Sequence, residues 1–145
     1  MKTALQKLWV TLLAVVSLVA CGSPEPMTDD EATMWVAAYS PERIDMDATI
    51  RIEATDSLIA HLDTTRSLEK VFKFTPSVKG KAHYVDGGRF IDFVPEKGSL
   101  KQGKQYNSRV NMSLLTAIDS LKAFSFDFVV EKRESRLADL RVSID

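Results

Sequence analysis

The sequence has few of the residues that build disulfides and metal sites. It contains one cysteine, Cys21, and two histidines, His61 and His83, among 145 residues. A single cysteine excludes an internal disulfide and a cysteine-rich zinc site, and two distant histidines argue against a histidine-based metal site. The carboxylates are dispersed and lack the spacing of a calcium loop. We therefore expect neither a metal nor another cofactor.

The chain also lacks an excess of either charge. It carries 19 Lys and Arg against 20 Asp and Glu, a formal net charge of -1. Proteins that bind nucleic acid draw much of their affinity from basic residues, which release the counterions condensed on phosphates. Nucleic acid is therefore not an expected partner.

No apolar run is long enough to cross a bilayer, which needs about 20 residues. The longest, residues 8–20 (LWVTLLAVVSLVA), has 13 residues and follows Lys2 and Lys7. A basic start and a short apolar core are typical of a signal peptide, here residues 1–20. Ordinary signal peptidase does not fit, because cleavage after Ala20 places the large Leu18 where a small residue is needed.

Residues 18–21 (LVAC) instead resemble the lipobox of bacterial lipoproteins, whose cysteine is acylated and becomes the new N-terminus. The resemblance implies cleavage between Ala20 and Cys21 and attachment of palmitate-type chains at Cys21. Two or three acyl chains hold a protein firmly on a membrane, whereas one does so only marginally. Gly22 stands where an aspartate would resemble an inner-membrane retention signal. We expect a lipid-anchored protein of the bacterial cell envelope, with the outer membrane favoured; the alternative is an incidental free thiol.

The mature chain divides into three parts by composition. Residues 21–31 hold two prolines and four acids and predict a flexible tether. In residues 32–131, short runs alternate apolar and polar residues, as strands with one buried face do. Residues 132–145 begin with a charged hinge and then alternate again, which predicts either a further strand or the start of a second domain.

About seven such strands, without long helices, predict an all-β fold: an antiparallel immunoglobulin-like β-sandwich. Residues 33–38 are predicted as the first strand, and residues 110–114 as a later strand. Trp35 on the first strand is interpreted as core or inter-domain packing, with carbohydrate binding as the alternative. Asp86-Gly87-Gly88 predicts a hairpin turn between two strands. Helical turns are expected only within residues 57–69 and 116–121.

An ordered series of short segments carries a family resemblance. The segments are YSPE (39–42), ATIRI (48–52), FKFTP (72–76), VKG (78–80), FIDFVP (90–95), LKQGKQY (100–106) and FSF (124–126). Their order resembles the first macroglobulin-type, bacterial Ig-like domain of bacterial alpha-2-macroglobulin family lipoproteins. That family is far longer than this chain and traps proteases with later domains, some carrying a Cys-x-Glu-Gln thioester. No such tetrapeptide occurs here, so the resemblance implies a tether or scaffold and not the trap itself.

Residues with chemical potential are few. His61 lies near Asp56, Ser57 and Asp63, yet catalytic triads assemble in space from separate loops, so a polar connection is the preferred interpretation. His83 is expected on a strand surface. The lysines at 97, 101 and 104 are interpreted as a solvated face, with a partner contact as the alternative.

Three tripeptides match a loose acid-hydroxyl-apolar pattern that some bacteria O-glycosylate. They are Asp56-Ser57-Leu58, Asp63-Thr64-Thr65 and Asp119-Ser120-Leu121. The pattern is short enough to arise by chance.

The leading hypothesis is a non-catalytic, membrane-anchored N-terminal domain of an alpha-2-macroglobulin-like protease-trapping lipoprotein. Its expected partners are the membrane, through Cys21, and further domains of the same chain or proteases. The chain would then be a fragment or a truncated product. The alternative is a free-standing surface lipoprotein whose Ig-like module binds a ligand as an adhesin. An enzyme is the least favoured class.

Overall fold

The fold was obtained as a computed structural model. It describes residues 24–132. The predicted signal peptide, the cleavage and lipidation site at Ala20 and Cys21, and residues 133–145 lie outside the described residues.

Eight strands form two four-stranded sheets. Sheet one has the order β1-β3-β6-β5 and is antiparallel throughout, whereas sheet two has the order β2-β8-β7-β4 and pairs β2 with β8 in parallel. The strands are β1 (Val36–Tyr39), β2 (Arg43–Ile44), β3 (Ile50–Ala54), β4 (Phe72–Thr75), β5 (Gly80–Val85), β6 (Phe90–Pro95), β7 (Gln105–Val110) and β8 (Phe124–Val130).

This order is that of an immunoglobulin sandwich. Counting β1 as strand A, sheet one reads A-B-E-D and sheet two holds C, F and G, which is the constant-type arrangement. The predicted Ig-like β-sandwich is thereby confirmed. The structure has eight strands where about seven were predicted, because the first strand is split. Ser40-Pro41 interrupts it, and β2 then joins the other sheet beside β8. Proline lacks the N–H that would continue a ladder, which suits a crossing between sheets.

The core lies between the sheets and is rich in phenylalanine. Phe124, Phe126 and Phe128 all point inward from β8, as their alternation predicts. Phe74 of β4 packs on Phe93 of sheet one at 4.7 Å between ring centroids, in a tilted geometry. The aromatic contacts therefore join the two sheets directly.

A tyrosine corner closes the turn before β7. Tyr106 is buried, and its hydroxyl accepts a hydrogen bond from the Lys101 N–H at 3.0 Å. A tyrosine near the start of strand F that bonds to backbone a few residues upstream is a hallmark of Ig sandwiches.

The hairpin between β5 and β6 confirms the turn prediction. A short 3-10 turn, Asp86–Gly88, connects the strands, and Gly87 and Gly88 have φ of 64° and 96°. Glycine adopts this left-handed region without a steric penalty, so the two glycines permit the tight reversal.

The N-terminal part departs from the prediction. Helix α1 (Asp29–Trp35) occupies the end of the predicted tether and the start of the predicted first strand, so Trp35 lies on a helix. Residues 36–38 do form a strand, as part of β1. Thr28 and Glu31 form a capping box, which favours a helix over a period-two pattern of only three residues. Met27 is buried and residues 29–31 form the first turn of α1, so the predicted flexible tether does not extend over residues 27–31.

Two further helices are short. Helix α2 (Asp56–His61) follows β3 and is capped by Thr55, in agreement with a helical turn on this crossover. Helix α3 (Met112–Leu115) corrects the predicted strand over residues 110–114, because β7 ends at Val110. Met112 and Leu115 are both buried, at a spacing that places them on one helix face.

Candidate functional site

The two ends of the sandwich differ in composition. One end, here called the helical end, carries α1, α2, the Asp86–Gly88 turn and the β7–β8 connection, residues 111–123. The other, the loop end, carries the connections at residues 40–42, 45–49, 76–79 and 96–104. The described chain starts at the helical end and finishes at the loop end, because β8 runs from one to the other.

The entering segment is held on the helical end by two hydrogen bonds. The Arg109 guanidinium donates to the Pro24 carbonyl oxygen at 2.6 Å, and the Met27 N–H donates to the Ala123 carbonyl oxygen at 2.8 Å. The Met27 side chain belongs to the main hydrophobic core. Residues close to the predicted anchor are therefore part of the folded unit.

Helix α1 is fixed to the β7–β8 connection by charge. Glu31 Oε2 accepts from the Thr28 N–H at 2.8 Å, and Glu31 Oε1 lies 3.4 Å from Lys122 Nζ. The hydrogen bond from the Thr28 N–H is the main reason that the pKa of Glu31 lies below its ordinary value, and the positive charge of Lys122 lowers it further. The ionised carboxylate is thus the form that holds the helix start in place.

The other end of α1 is joined to α2. The Thr55 hydroxyl donates to the Met34 carbonyl oxygen at 2.6 Å, and the Thr55 N–H donates to the Trp35 carbonyl oxygen at 3.1 Å. The Trp35 and His61 rings meet edge-on, 5.6 Å apart. The end of α1 therefore rests on the crossover between the two sheets.

The surface of the helical end has a small cleft and exposed apolar side chains. A cavity of about 150 Å³ is lined by Met27, Glu31, Trp35, Ser120, Leu121 and Lys122. Met34 of α1 is 60% exposed and Leu114 of α3 is 36% exposed. The cleft is too small for a drug-sized ligand, which occupies about 300 Å³ or more. The helical end therefore combines a shallow cleft with two exposed apolar side chains.

The acid, serine and histidine near residue 61 do not assemble into a catalytic set. His61 Nδ1 lies 2.8 Å from the Ser57 carbonyl oxygen and not from its hydroxyl. Asp56 pairs with Arg89 at 3.4 Å, and Asp63 holds the side chains of Thr65 and Arg66. Each group has a local structural partner.

His83 lies on the outer face of the edge strand β5, as predicted, and is exposed. Its cross-strand neighbour Asp92 is buried and binds Arg51 through two hydrogen bonds of 2.7 and 2.8 Å. The same guanidinium lies 4.4 Å over the Phe90 ring. Its bonds to Asp92 raise the pKa of Arg51. The pair links β3 to β6 and has a structural role.

The remaining predicted residues are all on the surface. Lys97, Lys101 and Lys104 are exposed on the loop end, where Lys101 Nζ donates to the Gly98 carbonyl oxygen at 2.8 Å. The hydroxyl residues of the three tripeptides, Ser57, Thr64 and Ser120, are exposed; Ser57 lies on α2 and Ser120 in the β7–β8 connection. No contact distinguishes them as modified sites.

Two larger clefts mark the open sides between the sheets. One of about 430 Å³ lies between β4 and β5 and is lined by Phe72 and Phe93, among others. The other, of about 390 Å³, is lined by Tyr39 and Phe126, among others. Tyr39 is half exposed, with its ring 5.0 Å from that of Phe126. These clefts are where edge strands leave the core incompletely covered.

Among residues 24–132, no group of three or more His, Cys, Asp or Glu side chains is placed to hold a metal ion. Over the same residues, no helix has the length and apolarity needed to span a membrane. The sequence matches no protein-family model and no curated protein. The alpha-2-macroglobulin resemblance therefore gains no support from these comparisons.

Sequence reasoning missed the residues that hold the entering segment. A signal for α1 is present, because Thr28-x-x-Glu31 before apolar residues is a capping-box pattern. No comparable local signal exists for Arg109, Lys122 or the Met27–Ala123 contact. These contacts join residues far apart in sequence.

Proposed function

We propose that the protein is a non-catalytic, membrane-anchored β-sandwich that acts as a tether and scaffold in the bacterial cell envelope. One observation carries this proposal: the chain enters the sandwich at the helical end, next to the predicted lipid site, and leaves it at the loop end. A domain with this path lies in series between the membrane and whatever its C-terminal segment joins.

The path has a definite length. Strand β8 has seven residues and so covers about 20 Å. At its far end, the Gly103 N–H donates to the Val130 carbonyl oxygen at 2.7 Å, which holds the exit beside the β6–β7 connection. The entering segment is equally held, by Arg109 and Ala123. Because both ends of the chain are bonded to the sandwich, the distance between the entry and the exit of the chain is fixed by the fold.

The non-catalytic part of the proposal is supported by the partners of the reactive groups. His61 is occupied by a backbone carbonyl, and Asp56 and Asp63 by arginines. A general base must reach the proton that it abstracts, within about 3 Å or through one water. No nucleophile in the described residues is placed in that way next to His61.

The anchor is tested by growing cells with an alkyne analogue of palmitate. We expect label on the wild-type chain and none on Cys21→Ala, with Ser23→Ala as a matched control that retains label. An unlabelled wild type, or label that survives Cys21→Ala, would contradict the proposal.

The finer proposal is that this is the first domain of an alpha-2-macroglobulin-like protease-trapping lipoprotein. It rests on the ordered segments in the sequence and on the two-ended chain path. The test is the coding sequence past codon 145. Further macroglobulin-type domains in frame would support it. A stop codon there, together with micromolar binding of a glycan or protein by the isolated domain, would favour the adhesin instead.

A further inference from the structure

The position of the predicted anchor relative to the fold restricts how the domain sits on a membrane. This inference rests on the proposed lipidation of Cys21. Cys21 precedes Pro24 by three residues, so their Cα atoms are at most about 11 Å apart whatever the intervening conformation. Pro24 is itself bonded to Arg109, near the last residue of β7. The acyl chains are thus attached close to the helical end.

This short connection does not allow the domain to invert. To bring the loop end onto the bilayer, the connection would have to run the length of the sandwich, about 20 Å along β8. The connection from Pro24 to Cys21 spans only about half of that distance. The helical end is therefore the end nearest the lipid.

The chemistry of the helical end fits a neutral lipid surface. Met34 and Leu114 expose apolar side chains there, and the nearby Trp35 is of the type enriched at membrane interfaces. The first turn of α1 carries three acids, and its Lys122 contact is an internal pair. The basic residues Arg66, Arg89 and Lys122 at this end each pair with a carboxylate, so attraction to anionic headgroups is not the driving force.

We propose that the helical end is a bilayer-contacting surface. It rests on the headgroups of a zwitterionic membrane, with Met34 and Leu114 as its apolar contacts, and the loop end points away. The exiting chain is then presented on the side opposite the membrane. The lipid anchor would thereby fix orientation as well as location.

The lipidated protein carries its own probe, because Trp9 is removed with the signal peptide and Trp35 is then the sole tryptophan. The protein is reconstituted in phosphatidylcholine vesicles containing a dansyl-headgroup lipid, and energy transfer from tryptophan to dansyl is measured. The matched variant Trp35→Phe/Lys97→Trp moves the donor to the loop end, where Lys97 is exposed. Since the donors differ by about the length of the sandwich, we expect transfer at least roughly threefold lower from position 97. Equal or stronger transfer from position 97 overturns the orientation.

Contact, as opposed to proximity, is tested by iodide quenching. We expect quenching of Trp35 to fall at least about twofold between the Cys21→Ala chain without its signal peptide and the vesicle-bound chain, because an indole at the headgroup level is shielded from the aqueous anion. Quenching at position 97 should stay unchanged. Met34→Asp/Leu114→Asp should restore quenching of Trp35, and no change of Trp35 on vesicle binding would overturn the contact.

Failure of the proposed lipidation and failure of the proposed orientation give different results. Absence of palmitate label contradicts the proposed function. The orientation can still be measured after coupling the Cys21 thiol of the mature chain to a maleimide-headgroup lipid. Equal transfer from both positions in that coupled protein contradicts only the present inference.

Discussion

Two tyrosines in the sandwich differ in how their hydroxyls are satisfied. The Tyr106 hydroxyl accepts from Lys101 N–H, whereas the Tyr84 hydroxyl is buried with no hydrogen-bond partner among the described residues. Burial, and secondarily the charge of Asp63, raise the pKa of Tyr84, so the neutral phenol is the favoured form.

The two Tyr→Phe changes are therefore expected to act in opposite directions. Tyr106→Phe leaves the Lys101 N–H without its partner and should lower the free energy of unfolding by about 1–2 kcal/mol. Tyr84→Phe removes an unsatisfied group and should leave it unchanged or raise it. Urea denaturation measures both. Equal losses in the two variants would show that the hydroxyls play no distinct roles.

A similar contrast exists between two buried serines. Ser108 faces the core between Phe74 and Phe126 on the neighbouring strands, and its Oγ has no partner among the described residues. Ser40 Oγ accepts from the Arg51 N–H at 2.8 Å. We expect Ser108→Ala to raise the free energy of unfolding by about 1 kcal/mol and Ser40→Ala to lower it by about as much. A loss in Ser108→Ala equal to that in Ser40→Ala would contradict this.

At the scale of elements, the ionised Glu31 carboxylate stabilises the start of α1. The folded-state pKa of Glu31 is lowered, so its contribution to stability is present above its ordinary pKa of 4.5 and is lost as the pH falls through the folded value. Acid should therefore loosen α1 and change Trp35 fluorescence before the sandwich unfolds.

Glu31→Gln isolates this effect. Glutamine is neutral like the protonated glutamate, so α1 should be loosened at every pH and the acid-dependent step in Trp35 fluorescence should disappear. Asp30→Asn, in the same turn, should retain the step. An unchanged acid transition in Glu31→Gln would show that another group controls α1.

The elements differ in how well the sequence predicts them. The alternation of Phe124, Phe126 and Phe128 fixes which face of β8 is buried, since slipping one residue would expose all three rings. The helix at residues 29–35 is not evident from alternation, because its capping box competes with a pattern of only three residues. Likewise, Met112 and Leu115 fit one helical face, although residues 110–114 read by themselves also alternate.

For the whole molecule, the limits of the domain were harder to predict than its class. Short strands, turn residues and the absence of long helices suffice for a sandwich. The tether prediction relied on the composition of residues 21–31. Composition does not reveal that the Met27 N–H bonds to the Ala123 carbonyl oxygen and that the Met27 side chain is buried in the core. The candidate site depends on such distant contacts, so it emerges only from the fold.

The folded unit should therefore begin near Pro24 and not at its first strand. We compare two chains with the same C-terminus, one starting at residue 24 and one at residue 36. The shorter chain loses the burial of Met27 and should unfold with at least about 2 kcal/mol less free energy, since a buried methionine contributes about 1.5–3 kcal/mol. Met27→Ala in the longer chain should reproduce most of the loss. Equal stability of the two chains would mean that residues 24–35 only lie on the sandwich, and the anchor would then be joined to it by a longer, looser connection.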